Sequence, residues 1–157
     1  MVERKVLSKV VVLGNMGVGK TTLLDAFLGE QSNKQKATTG ADFRKKEVKL
    51  GNKTVTLQCW DTAGQEQFNS LGFAFYRGSN ACILCFDLTD LKSFEQLTKW
   101  KKDFLDHANP TDPAKFPFVI VGNKTDLADR KVTYEAAEAW CKNNGGYVYF
   151  ETCATKN

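Results

Sequence analysis

Four short stretches carry residue types that do chemistry together. The first is Gly14-Asn15-Met16-Gly17-Val18-Gly19-Lys20-Thr21-Thr22, which contains the pattern Gly-x-x-x-x-Gly-Lys-Thr. Its glycines let backbone N–H groups of residues 15–19 curl around a phosphate chain. Lys20 can reach β- and γ-phosphates, and the Thr21 hydroxyl can ligate Mg²⁺. The second is Asp61-Thr62-Ala63-Gly64-Gln65. Asp61 can hold Mg²⁺, through water. Gly64 permits a backbone N–H to approach a γ-phosphate, and Gln65 can orient an attacking water. The third is Asn123-Lys124-Thr125-Asp126. A fixed carboxylate accepts two hydrogen bonds from the N1–H and N2 amino groups of guanine, a pair that adenine lacks. Leaving buried polar groups unpaired rejects the wrong base by on the order of 10⁴–10⁵. The fourth is Thr152-Cys153-Ala154-Thr155, whose small residues allow backbone to approach the base.

These stretches are useful only if the fold brings them together, and the chain between them has the right periodicity. "KVVVLG" is a continuous apolar run ending in glycine, as in a strand buried on both faces. In "TTLLDAFLG", Leu23, Leu24, Phe27 and Leu28 form a helical stripe and Gly29 ends it. Residues 29–42 are polar and aperiodic, which predicts a long functional loop. Alternation resumes on either side of Gly51-Asn52 and predicts an antiparallel hairpin. "ACILCFDLTD" and "FPFVIVG" read as buried strands, and "YVYFET" as the last one. Phe94, Leu97, Trp100 or Lys101, Phe104 and Leu105 make one helical stripe; Thr133 caps a helix that Asn144-Gly145-Gly146 ends.

This alternation predicts an α/β fold: a six-stranded, mostly parallel sheet with one antiparallel strand and helices on both faces. Ligands of such sheets lie at the carboxyl ends of the strands. Each of the four stretches follows a strand, so all four fall on one rim.

The bulk properties bound the alternatives. At 157 residues, 42% hydrophobic and 25% charged, the chain suits one compact domain spanning residues 1–157. Its net charge of +4 comes from dispersed lysines, which argues against nucleic acid as a partner. No apolar run reaches membrane-spanning length, the N-terminus lacks a signal peptide, and Val2 excludes N-myristoylation. A cytoplasmic location is expected. Five dispersed cysteines do not form a disulfide framework. Cys82 and Cys85 are three apart on a strand, so they face opposite sides and cannot share a metal.

Taken together, the motifs resemble those of the Ras-superfamily small GTPases, and of Rab proteins in particular. The resemblance runs from "KVVVLG" to "ETCAT". It includes "TGADF" (39–43), "LQCWDTAGQEQF" (57–68), "FYRGS" (75–79) and "CFDLTD" (85–90). "GADF", "LGFAFYRG" (71–78), "NPTDPAKFPFV" (109–119) and "AWC" (139–141) resemble the late-endosomal Rab subgroup, number seven.

The resemblance implies a P-loop G domain that binds GTP or GDP with Mg²⁺ and hydrolyses GTP slowly. It implies two switch segments, residues 30–43 and 61–78, that order around a γ-phosphate. Thr38 would contact Mg²⁺ and that phosphate. Phe43, Trp60 and Phe75 occupy the positions of the aromatic triad that Rabs present to effectors, although plain core packing accounts for them equally well. Exchange factors, GTPase-activating proteins and Rab effectors are the implied partners. The implied place is the cytosolic face of late endosomes, lysosomes or related vesicles. The family also has a C-terminal helix and a lipidated tail that attaches it to the membrane. This chain stops at Asn157 and carries no prenylation motif, so membrane attachment follows from the resemblance alone.

Departures from the family pattern cluster at the nucleotide. Lys36, rather than arginine, precedes Thr38 where an in-cis arginine finger would sit, so turnover should need a protein acting in trans. The first switch is one residue short. The aromatic that packs on guanine is replaced by Gln31 or Ser32, and the tyrosine that closes over the phosphates by Gln35. The last motif reads Cys153-Ala154-Thr155 where Ser-Ala-Lys is usual, and Gln67 replaces an arginine. Fewer contacts to base and phosphate predict faster nucleotide release. Met16 sits where Ras proteins carry glycine. It either faces solvent or packs on the second switch, or else it obstructs Gln65 or an activating protein. A scaffold that barely hydrolyses GTP is therefore the competing reading. A nucleotide kinase fits poorly, since no cluster of arginines is available for the phosphates.

Overall fold

The computed structural model describes residues 4–29, 34–36, 42–62 and 75–154, with backbone alone at residues 34–36 and 42. Its elements are β1 (Arg4–Leu13), α1 (Lys20–Leu28), β2 (Lys34–Lys36), β3 (Asp42–Leu50), β4 (Lys53–Asp61), β5 (Ala81–Asp87), α2 (Leu91–Glu95), α3 (Leu97–Ala108), β6 (Phe118–Asn123), α4 (Tyr134–Asn143) and β7 (Val148–Thr152). One sheet holds all the strands in the order β2-β3-β4-β1-β5-β6-β7. The six expected strands are present, and β4, β1, β5, β6 and β7 pair in parallel. β3 runs against them. The hairpin turns at Gly51-Asn52, with Leu50 paired to Lys53. Gly51 has φ +60° at the first turn position, the backbone of a type II′ turn.

Two expectations need correction. Residues 29–42 are not wholly loop: Lys34–Lys36 adds a seventh, three-residue strand, antiparallel to β3. "KQK" has no apolar period, so the strand is created by pairing with the β3 backbone rather than by its own pattern. The helical stripe from Phe94 to Leu105 is not one helix. It breaks at Gln96 into α2 and α3. Asp90 caps α2 by accepting the Lys92 N–H at 3.1 Å, and the Gln96 carbonyl starts α3 by accepting the Trp100 N–H at 3.0 Å.

Alternation along the strands divides the interior. Val11, Leu13, Cys82, Leu84, Phe86, Phe118 and Ile120 point toward α2, α3 and α4, where they meet Leu97, Phe104, Ala137 and Cys141. Val12 and Cys59 point the other way and pack on Leu24 of α1, while Cys85 and Val121 pack on Val18 beside it. Cys82 and Cys85 thus lie on opposite faces, as their spacing requires. Burial raises the thiol pKa of both, that of Cys85 to about 12, so both stay protonated. The caps expected from sequence form: Thr133 Oγ1 accepts the Ala136 N–H at 3.1 Å, and Gly29 (φ +73°) ends α1. No described helix is long and apolar enough to cross a membrane.

Candidate functional site

The β1–α1 loop takes its shape from glycines that nothing larger could replace. Gly14 has φ +153°, and a Cβ there would lie 2.2 Å from the Cys85 carbonyl oxygen. Gly19 has φ +96°, and its Cβ would lie 2.4 Å from Asn123 Nδ2. The loop is pressed against β5 at one end and β6 at the other.

Side chains then fix its carbonyls. Lys20, buried at 3% exposure, donates from Nζ to the Gly14 carbonyl at 2.5 Å and to the Asn15 carbonyl at 3.0 Å. Lys124 Nζ donates to the Gly17 carbonyl at 2.7 Å. Asn123 Nδ2 donates to the Val18 carbonyl at 3.0 Å. Two cavities open beside the loop. One, of about 330 Å³, is lined by Met16, Gly17, Gly19, Lys20, Thr21, Thr22 and Lys124. The other, of about 220 Å³, is lined by Gly19, Thr22, Asn123, Lys124, Asp126, Leu127 and Ala154. They share Gly19, Thr22 and Lys124, so they form one groove of the size small-molecule sites have.

The larger of the two cavities borders a pair of oxygen donors. Thr21 Oγ1 donates to Asp61 Oδ2 at 2.8 Å. Asp61 ends β4, and Thr62 beyond it is anchored by its hydroxyl to the Val12 carbonyl at 2.7 Å. A hydroxyl and a carboxylate in contact are the hard-oxygen donors that Mg²⁺ takes. These residues therefore fit the ion.

The smaller cavity is organised by Asn123. Its Oδ1 accepts Thr152 Oγ1 at 3.2 Å and the Ala154 N–H at 3.3 Å. One buried side chain joins the β1–α1 loop, the end of β6 and the segment after β7. Asp126 is exposed on the far lip. Behind this segment, Glu151 accepts the Tyr149 hydroxyl at 2.7 Å and both arms of the Arg130 guanidinium.

Not every expected residue faces the groove. Asn15 and Val18 do not line it: Val18 is buried against Cys85 and Val121, and Asn15 turns its side chain toward α3. Cys153 is half-buried behind Ala154. Met16 is 61% exposed and lines the larger cavity. Thr38, Gly64, Gln65 and Thr155 lie outside the described residues.

Asp87, at the end of β5, was not singled out from the sequence. It accepts Lys124 Nζ at 2.8 Å and both the N–H and hydroxyl of Thr89. Burial opposes its ionisation, but these donors outweigh it and hold its carboxyl below the usual value. Lys124 has a left-handed backbone, φ +73°. An Asp at a strand end beside the Asn-Lys-x-Asp loop was the available signal.

The three aromatics come together on a different surface. Phe43 stacks on Trp60 at 4.9 Å between ring centroids, and Trp60 tilts against Phe75 at 5.3 Å. Phe75 is buried; the other two are half-buried. Lys9 Nζ sits 4.7 Å over the Trp60 ring and donates to the Arg77 carbonyl at 2.9 Å.

Comparison with known proteins follows the same lines. The sequence model of the Ras family matches residues 9–157. Ras-related protein RABG3d of Arabidopsis thaliana is 52% identical over 156 residues. Ras-related protein Rab-7a of Dictyostelium discoideum is 50% identical over 154, and Ras-related protein Rab7 of Pisum sativum 50% over 156. Each alignment covers 97% of this chain and 76% of the relative.

Proposed function

The chain belongs to the Ras family of small GTPases, within its Rab7-like group, and from that premise we propose that it is a single G domain switching between GTP- and GDP-bound forms to control endosomal membrane traffic. The observation that carries the reading is the joint at Asn123, which holds the phosphate loop and the two base-side segments in one groove.

In this reading the N–H groups of residues 15–19 and of Thr21 and Thr22 surround the phosphates, and Lys20 neutralises their bridging charge. Asp126 accepts from guanine, and Cys153, Ala154 and Thr155 present backbone to it. Thr21, Thr38 and Asp61 would hold Mg²⁺, which screens the phosphate charge. Gln65 orients the water that attacks the γ-phosphorus as the bond to the leaving GDP oxygen breaks, and Gly64 N–H steadies the γ-phosphate. Because this chemistry is positioning, the missing arginine makes turnover slow without an activating protein. Phe43, Trp60 and Phe75 form the face that effectors read. Exchange factors complete the cycle, and the late-endosomal surface is the working place.

Competition against a bound fluorescent GDP analogue tests the base and metal assignments together. GDP should displace it at least a hundred times better than ADP, and chelating Mg²⁺ should speed its release. Equal displacement by ADP would overturn the reading. Release as slow as that of an ordinary Rab would contradict the faster exchange expected from the missing aromatics near Gln31 or Ser32 and Gln35.

Met16 favours a second reading. Its side chain lines the larger cavity, where an activating protein would enter. A scaffold that holds GTP with negligible hydrolysis follows if single-turnover phosphate release stays at background with a cognate activating protein and matches Gln65→Leu. Faster release in Met16→Gly would identify the obstruction.

A further inference from the structure

The β1–α1 loop is anchored from a direction that the nucleotide motifs do not account for. Trp100, on α3, donates its indole N–H to Asn15 Oδ1 at 2.8 Å across 85 residues of sequence. Asn15 is the pivot of the loop. It follows the glycine wedged against β5, and its carbonyl accepts both Lys20 Nζ at 3.0 Å and the Val18 N–H at 3.4 Å. Rotating residue 15 would shift the peptide planes of Met16 and Gly17, which follow it and line the cavity.

Trp100 is well placed to prevent that rotation because α3 is held on several sides. Leu97 and Phe104 are fully buried in the main core. Lys101 Nζ donates to the Asn144 carbonyl at 2.9 Å, and Trp140 Nε1 donates to Thr98 Oγ1 at 3.2 Å. The two ammonium groups that hold loop carbonyls, Lys20 and Lys124, both border the groove and answer to whatever fills it. Trp100 does not line the groove, so its hold on Asn15 is independent of ligand.

We propose that Trp100 is a positioning residue: through Asn15 Oδ1 it locks the phosphate loop in its binding curve from the α3 side, and so slows nucleotide release. The proposal rests on the reading of this loop as a nucleotide site. A Trp has one polar hydrogen, a donor only, so a single hydrogen bond is at stake.

The test is the release rate of a fluorescent GDP analogue from the full chain. Trp100→Phe keeps an aromatic ring in the core but deletes the N–H; release should speed up about five-fold, the effect of one net hydrogen bond. Asn15→Leu removes the acceptor from the other side and should do the same. The double variant should be no faster than either single one. Trp140→Phe, which breaks the Thr98 bond away from the loop, should release at the wild-type rate and controls for loosening of α3. Thermal midpoints without nucleotide should stay together for Trp100→Phe and Trp140→Phe. Wild-type release from Trp100→Phe, additive effects in the double variant, or equal acceleration by Trp140→Phe would each overturn the proposal. A wild-type chain that holds no GDP would overturn the loop's assignment first and this proposal with it.

Discussion

The groove and the aromatic surface are built from opposite materials. Around the groove, directional bonds dominate: Lys20, Asn123, Lys124 and Trp100 each hold a named oxygen of the β1–α1 loop. At the surface of Phe43, Trp60 and Phe75, the contacts are ring against ring, with Lys9 beneath Trp60. Directional bonds fix where a loop carbonyl points and leave its N–H groups aimed the other way. Ring contacts fix proximity but tolerate tilt. The comparison teaches that this domain spends rigidity on the phosphate loop and leaves adaptability at the surface proposed to meet partners.

The strongest way to break the comparison is Lys20→Ala. It removes a charged donor from two loop carbonyls and from the proposed phosphates, and GDP affinity measured by fluorescence titration should fall about a hundred-fold. A fall of less than ten-fold would mean that the loop does not depend on directional bonds. Asn123→Ala comes next. It strands the Val18 carbonyl and the Ala154 N–H, so urea denaturation should show a loss of about 2 kcal/mol and nucleotide should bind more weakly. Trp60→Leu is the opposite case. It should lose about 1 kcal/mol of stability through ring stacking while leaving GDP affinity within two-fold; weakened nucleotide binding would erase the distinction between the two regions.

The smallest effect concerns the Asp87–Lys124 pair. Asp87 has its folded-state pKa depressed, so its contribution to stability is present above the ordinary value of 3.8 and disappears as pH falls through the lowered value. Asp87→Asn should therefore cost below about 1 kcal/mol at neutral pH. The gap from wild type in chemical denaturation should close below pH 3.8. A gap that widens on acidification would refute the assignment of the donors around Asp87.

The sequence carried most of this rim because its requirements are local. Gly14 and Gly19 supply the positive φ that the loop's own turn needs, and each motif follows an apolar run that reads as a strand. The opposite facing of Cys82 and Cys85 came from the same period of two. What stayed hidden depends on partners far away in sequence. β2 exists because β3 offers a free edge to Lys34–Lys36. The break at Gln96 hides inside an otherwise continuous helical stripe. The three bonds by which Asn123 joins the β1–α1 loop to the segment after β7 reach partners 29 to 105 residues away. The bonds from Trp100 to Asn15 and from Lys124 to Gly17 span 85 and 107 residues, distances at which no periodicity speaks. Thr38 and Gln65, on which hydrolysis turns in the proposed mechanism, fall outside the described residues.

The chain's three tryptophans fall one to each of three districts: Trp60 within the aromatic surface, Trp100 against the phosphate loop, and Trp140 on α4. The molecule thus carries its own optical labels. Excitation of a variant retaining Trp100 alone watches the β1–α1 loop, and one retaining Trp60 alone watches the aromatic surface. Events in the two regions can be timed against each other by native emission, with no dye attached.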